Sequence, residues 1–287
     1  MERRQFSEKD VDAVHAFFLE MNREDKMYIN WNWARFEWMY WHKEFDKSLE
    51  NSIGLWMEGD RVVGLATYDQ YFGEGFVGTL AGYDSLLPEI LTYAYDELKD
   101  ENGLGIAVND KDRKLAELAG KQDFEIAEQT ENMMRLSLEK PFALRTPKGL
   151  SVREIVPEKD GEKYGFVLWQ GFDHGSDREE FLRENTCMIP PRKHFRQELC
   201  LAVVDNQDNF VAHCQGWLAE DADYLYIEPV CVIPQARGSG VGSYAVKELL
   251  NRAMALGAKQ AYVISDNPFY AKLGFKNDQH YTFWWKK

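Results

Sequence analysis

The order of apolar and polar positions along the chain marks out a series of short strands and helices before any single residue is considered. Between residues 5 and 20, Phe6, Val11, Val14, Phe17 and Phe18 fall near helical spacing, with Ser7, Glu8 and Asp10 suited to a cap and first turn; a first helix is predicted there. Residues 28–45 hold Trp31, Trp33, Phe36, Trp38, Tyr40, Trp41 and Phe45. Such an aromatic stripe suits a packed core or an interdomain seam, or else a pocket wall for a flat or cationic ligand. Residues 53–57 and 61–67 flank Glu58-Gly59-Asp60 and read as two strands with a tight turn. A strand at 75–81, a helix at 88–98, a short strand at 105–108, a short helix at 113–119 and a strand at 133–138 follow.

Pro141, Pro147 and Gly149 then interrupt the pattern, and a domain boundary is placed there, giving domains at 1–140 and 150–287. Beyond the break the order repeats: a strand at 150–155, a helix at 164–172, strands at 198–204 and 210–218 around Asp205-Asn206-Gln207-Asp208-Asn209, and a strand at 224–232. The two hairpins, the two following strands and the segments ending near Phe124 and Phe275 lie about half a chain apart. This long period indicates duplication of one α/β domain rather than a solenoid.

Length agrees, since 287 residues suffice for two ordinary domains. No apolar run approaches the roughly 20 residues that cross a bilayer, and the N-terminus lacks the apolar core of a signal peptide. Cys187, Cys200, Cys214 and Cys231 form no C-x-x-C pair and read as reduced thiols in a cytoplasmic protein. The six histidines show no metal-ligand spacing, so no metal is expected. A net charge of −14 argues against nucleic acid, whose binding depends on cationic side chains. It suits either a solvated acidic surface or attraction of a cationic acceptor.

The most informative stretch runs from Tyr224 to Gly242. A β-branched and aromatic strand ends in Arg237-Gly238-Ser239-Gly240-Val241-Gly242, after which Ala245, Val246, Leu249, Leu250, Ala253 and Leu256 recur at helical spacing up to Gly257. A strand, a glycine turn and a helix N-terminus form an anion site, because first-turn N–H groups lack helical partners. A Walker A loop would need a lysine between Gly238 and Tyr244, and there is none. Gly238, Gly240 and Ser243 meet the dinucleotide pattern only in part.

The stretch resembles instead the coenzyme loop of the GNAT superfamily of N-acetyltransferases, Arg/Gln-x-x-Gly-x-Gly/Ala, preceded by Val232-Ile233-Pro234. Asn267-Pro268-Phe269-Tyr270-Ala271-Lys272-Leu273-Gly274-Phe275 resembles the same superfamily's Tyr-x-x-x-Gly-Phe helix. The resemblance implies two tandem GNAT-like domains, each a mixed central sheet flanked by helices. It further implies acyl-CoA as co-substrate, acetyl-CoA by default, and transfer of the acyl group to a primary amine on a small molecule or peptide. Its coenzyme set maps to Val230, Cys231, Val232, Arg237, Gly238, Ser239, Gly240, Val241, Gly242, Ser243 and Asn267. The family's asparagine stands about two helical turns before the tyrosine, whereas Asn267 stands three residues before Tyr270.

Attack by an amine requires loss of a proton from an ammonium of pKa about 10.4. Glu228, just before the coenzyme turn where the superfamily often places its base, is the candidate, against a solvent-facing glutamate. Pro229 cannot donate to a ladder, so a bulge is expected beside it. Tyr270 matches the tyrosine that meets the departing thiolate, against a tyrosine that merely packs. Cys231 as a covalent nucleophile is the lesser reading, because no histidine adjoins it in sequence. The N-terminal copy reads Gly82-Tyr83-Asp84-Ser85-Leu86-Leu87-Pro88 at the loop position, without the motif, and is expected to be degenerate. The rival to an enzyme is a non-catalytic module that binds acyl-CoA or an amine and senses it.

Overall fold

The computed structural model describes residues 2–184 and 193–287. Its elements in chain order are β1 (Glu2–Gln5), α1 (Val11–Met21), α2 (Trp33–Tyr40), β2 (Gly54–Glu58), β3 (Arg61–Tyr68), β4 (Glu74–Thr79), α3 (Leu87–Leu98), β5 (Leu104–Asn109), α4 (Arg113–Lys121) and β6 (Glu125–Ser137). There follow β7 (Ser151–Glu154), α5 (Pro157–Gly171), α6 (Arg178–Glu184), β8 (Cys200–Val204), β9 (Phe210–Trp217), β10 (Tyr224–Val232), α7 (Val241–Ala255), β11 (Gln260–Ile264), α8 (Pro268–Lys272) and β12 (Lys276–Lys286). The chain forms two compact units, one of Met1–Met134, Ile264–Asn267 and Asn277–Lys287, the other of Arg135–Val263 and Pro268–Lys276.

In the first unit β1, β2, β3 and β4 are antiparallel neighbours, β4 runs parallel to β5, and β12 closes on β5 in antiparallel register from Tyr281↔Asn109 to Lys286↔Leu104. The C-terminal strand thus belongs to the unit that the N-terminus begins. In the second unit β7, β8, β9 and β10 are antiparallel and β10 runs parallel to β11. Both units therefore use one strand order and one switch from antiparallel to parallel, as the sequence repeat predicts.

Several boundaries differ from the pattern reading. The first helix starts at Val11 because Glu2–Gln5 pairs with β2, and the Phe6 N–H donates to Ile53 O at 2.9 Å. Ser7 still opens a helical turn, with its N–H on Asp10 Oδ2 at 2.9 Å. α5 begins at Pro157, where a proline in the first turn costs no hydrogen bond. β6 starts at Glu125, eight residues before the predicted strand, over a polar run with no alternation to read. α2 lies inside the aromatic stripe, capped by Asn32, whose side-chain oxygen accepts from the N–H groups of Ala34 and Arg35 at 3.0 and 3.1 Å.

Most of that stripe is core, with Trp38 and Trp41 half-buried. Trp31, Trp33, Phe36 and Tyr40 are buried, Phe36 meets Phe6 edge-on at 5.7 Å, and the Trp33 ring lies 4.6 Å from His15. In the second unit one sheet face packs on α5 through Ile155, Tyr164, Val167, Cys200, Ala202 and Cys231. The other carries α7, which buries Ala245, Val246, Leu249, Leu250 and Ala253. Cys200, Cys214 and Cys231 are buried and form no disulfide; Cys187 lies outside the described residues. Among the described residues no helix is long and apolar enough to cross a membrane.

Trp33, with none of its surface exposed, gives the test of core against pocket wall. Trp33→Ala should lower unfolding free energy by about 3–5 kcal/mol, read as a reduced denaturant midpoint; a change under about 1 kcal/mol would return the residue to a binding role.

Candidate active site

The site is built around one irregularity in β10. Ile227 faces Gly216 and Val230 faces Cys214, so Glu228 and Pro229 together stand opposite the single residue Gln215. This is the expected bulge, placed where proline has no N–H to give to β9. On its other edge β10 pairs with β11 from Tyr224↔Gln260 to Tyr226↔Tyr262, and the described register ends there.

After the bulge the Ile233 N–H donates to Val211 O at 3.1 Å. Antiparallel alternation then turns the N–H groups of Cys231 and Ile233 toward β9, and those of Val230 and Val232 toward the open edge. The side chains divide similarly. A Cβ on Gly242 would lie 3.2 Å from Val232 Cγ2, which puts Val232 on the α7 face. Cys231 points into the α5 face, so close to Gly171 that a Cβ there would sit 2.7 Å from its sulfur.

The loop between β10 and α7 contains two left-handed glycines, Gly238 at φ +76° and Gly240 at φ +87°. A Cβ on either would meet nothing within 4 Å, so packing does not demand glycine; backbone conformation does, and the same bareness leaves the main chain accessible. The first helical hydrogen bond runs from the Tyr244 N–H to Gly240 O at 3.0 Å. The N–H groups of Val241, Gly242 and Ser243 precede it and point out of the positive end of a fifteen-residue helix. Ser239 Oγ donates to Ala236 O at 2.6 Å. Arg237 binds back on the scaffold: Nε donates to Val232 O at 3.1 Å, Nη2 to Gly171 O at 2.9 Å, and Asp173 pairs with it at 3.0 Å. Its guanidinium fixes the loop to β10 and to the C-terminal end of α5.

Glu228 is half-buried on β10, with Oε2 accepting from the Tyr226 hydroxyl at 2.7 Å and its main-chain oxygen accepting from Trp217 Nε1 at 2.7 Å. Tyr270, on α8, is buried, with Phe269 and Phe275 edge-on at 5.0 and 5.6 Å. Burial raises its phenol above the usual tyrosine range, helped by the nearby Cys214 and Glu228, so the hydroxyl keeps its proton at neutral pH. Burial also pushes the Cys231 thiol up to about 12, and its sulfur contacts Val167 O at 3.5 Å. A thiol held protonated in an apolar face is a poor nucleophile. Asn267 is exposed, just before α8, with its N–H on Ser265 Oγ at 3.0 Å; it lies in the segment Ile264–Asn267 that groups with the first unit.

Glu228, Val230–Val232, the Arg237–Ser243 loop and Tyr270 therefore all belong to the second unit, around the end of β10. Sequence reading missed Tyr226 and Trp217. Tyr226 was within reach of it, because residues two apart share a strand face; Trp217 was not, since only register brings it opposite Tyr226.

Residues 162–275 match the model of the Acetyltransferase (GNAT) family. Among solved structures, a tandem GNAT protein from the clavulanic acid biosynthesis pathway, without AcCoA, aligns at TM-score 0.61 and 14% identity over 99% of this chain and 97% of its own. A GCN5-related N-acetyltransferase from Sphaerobacter thermophilus aligns at 0.57 and 16% over 99% and 95%. A GNAT-family acetyltransferase from Colwellia psychrerythraea aligns at 0.55 and 14% over 99% of both chains. No curated protein sequence matches. The fold is that of tandem GNAT proteins, mixed α/β with a mixed sheet flanked by helices.

Gly240→Ala tests the loop. A side chain at φ +87° costs about 1–2 kcal/mol locally and intrudes on the exposed amides. Coenzyme A affinity should fall at least tenfold by calorimetry while the protein stays folded; an unchanged affinity would remove this loop from the site.

Proposed function

We propose that the second unit is an acyl-CoA-dependent N-acyltransferase, with acetyl-CoA as default donor and a primary amine as acceptor. The observation that carries this reading is the convergence, at one bulged strand, of a glycine loop rich in unbonded N–H groups, an open strand edge, a half-buried carboxylate and a buried protonated phenol. The first-turn amides of α7 and the bare backbone of Gly238 and Gly240 suit a pyrophosphate. The outward N–H groups of Val230 and Val232 suit the amides of a pantetheine arm, extended as a strand-like partner of β10.

In the reaction the acceptor arrives as an ammonium. Glu228 takes one proton from it, directly or through water, and the freed nitrogen lone pair forms a bond to the thioester carbonyl carbon. The C–S bond then breaks, the electron pair leaves on sulfur, and the Tyr270 hydroxyl hydrogen-bonds or protonates that thiolate. The second ammonium proton passes to solvent as the amide forms. A net charge of −14 favours approach of a cationic acceptor. Metal and covalent enzyme chemistry are not needed for these steps, and the buried Cys231 takes no part in them.

Glu228→Gln should lower turnover by about 100-fold or more near pH 7 and recover toward pH 10, where the amine deprotonates unaided. Tyr270→Phe should slow thiol release with coenzyme affinity changed by less than about twofold, the pattern of a group acting in the transition state. Equal losses of binding and turnover in both variants would make them structural. Absence of thiol release with any amine of a broad panel, despite coenzyme binding, would favour the sensing module.

The first unit supports a non-catalytic role for itself. Its β4 follows β3 without a bulge from Gly64↔Thr79 to Tyr68↔Gly75, and the loop position is a short turn, Asp84–Leu86, with Asp84 paired to Lys114 at 2.8 Å. A carboxylate there repels a pyrophosphate. Calorimetric titration should give one coenzyme A per chain; two equivalent sites would overturn this division of labour.

A further inference from the structure

We propose that Tyr226 and Trp217 are positioning residues for Glu228, setting both the place of its carboxylate and the pH range over which the reaction runs. This rests on the reading of Glu228 as the base.

The strand pleat and the register make the arrangement. Trp217 and Tyr226 are direct cross-strand partners, next to the last regular pair before the bulge, Ile227↔Gly216. Their side chains share one sheet face with His213, whose ring meets Tyr164 of α5 edge-on at 5.1 Å. Both are almost wholly buried, at 2% and 1% exposure. From that position each reaches residue 228 differently. Tyr226, two residues earlier on the same face, donates its O–H to Oε2 at 2.7 Å. Trp217 donates its indole N–H to the Glu228 carbonyl oxygen at 2.7 Å, at the point where the bulge interrupts the ladder. A bulge alone would leave a residue loose in main chain and side chain. Here one buried aromatic donor fixes each.

The two donors have separate consequences. The indole bond anchors the backbone, so the carboxylate starts from a fixed Cα. The phenol bond is a neutral donor on a carboxylate, which favours the ionised form over the protonated one. Tyr226 is almost wholly buried, and on this proposal it acts through Glu228.

The test compares Tyr226→Phe, Glu228→Gln and the double variant by pH-rate profile and coenzyme titration. Tyr226→Phe should lower kcat several-fold, leave coenzyme affinity unchanged, and move the acid limb of the profile to higher pH. In a Glu228→Gln background the same change should have no further effect. A wild-type profile in Tyr226→Phe, or full additivity in the double variant, would overturn the proposal while leaving Glu228 as base. Wild-type turnover in Glu228→Gln would instead overturn the base assignment itself. Should Tyr226→Phe fail to fold, site-specific replacement by 3-fluorotyrosine keeps the shape with a stronger donor. The acid limb should then move to lower pH, and an unmoved limb would count against the proposal.

Discussion

The second unit depends on the interruption of the β9–β10 ladder at Glu228-Pro229. A strand paired on both edges can display only side chains. By inserting one extra residue against β9, β10 turns a carboxylate into view and resumes pairing in a shifted register, with the N–H groups of Val230 and Val232 on its other edge. The function proposed above has the coenzyme and the acceptor meet at this one strand without either displacing the sheet. The irregularity is secured from both sides. Trp217 and Tyr226 hold Glu228, and Arg237 ties the following loop to Val232 and to Gly171 at the end of α5.

The motif arginine has an instructive role. By sequence it is a cation beside a phosphate loop, which suggests a phosphate contact. In the fold its donors serve two main-chain oxygens and Asp173, which leaves backbone amides as the donors the loop turns outward. Dipoles fixed in a helix first turn need no reorganisation when an anion arrives, whereas a long cationic side chain loses rotamer freedom on each binding event. The two left-handed glycines keep those amides uncovered.

The first unit repeats the strand order of the second and differs from it at the corresponding strand and loop. Its strands follow the same order, with the same switch from antiparallel to parallel neighbours, so the duplicated fold persists. Its β4 pairs with β3 without a bulge, and a short turn, Asp84–Leu86, stands at the loop position. Most of its aromatic stripe, whose composition equally suits a pocket wall, is buried, with Trp38 and Trp41 half-buried.

The sequence by itself determined the α/β class, the internal repeat, β10 to within a residue, the glycine loop and helix α7, and the pairing of Glu228 with Pro229 as the place of a bulge. These are local properties: hydrophobic period, glycine conformation and proline's missing donor act within a few residues. Tertiary structure alone decided that Glu2–Gln5 is a strand, that the polar run from Glu125 is one too, and that the last strand completes the unit begun by the first. Each follows from pairing with distant partners, which leaves no periodic trace in the paired segment. The same holds at the site. Glu228 and Tyr270 stand out as candidates from their motifs, but the hold on Glu228 does not, because Trp217 reaches it only through strand register. Register is fixed by burial of whole sheet faces, and no short stretch of sequence contains it.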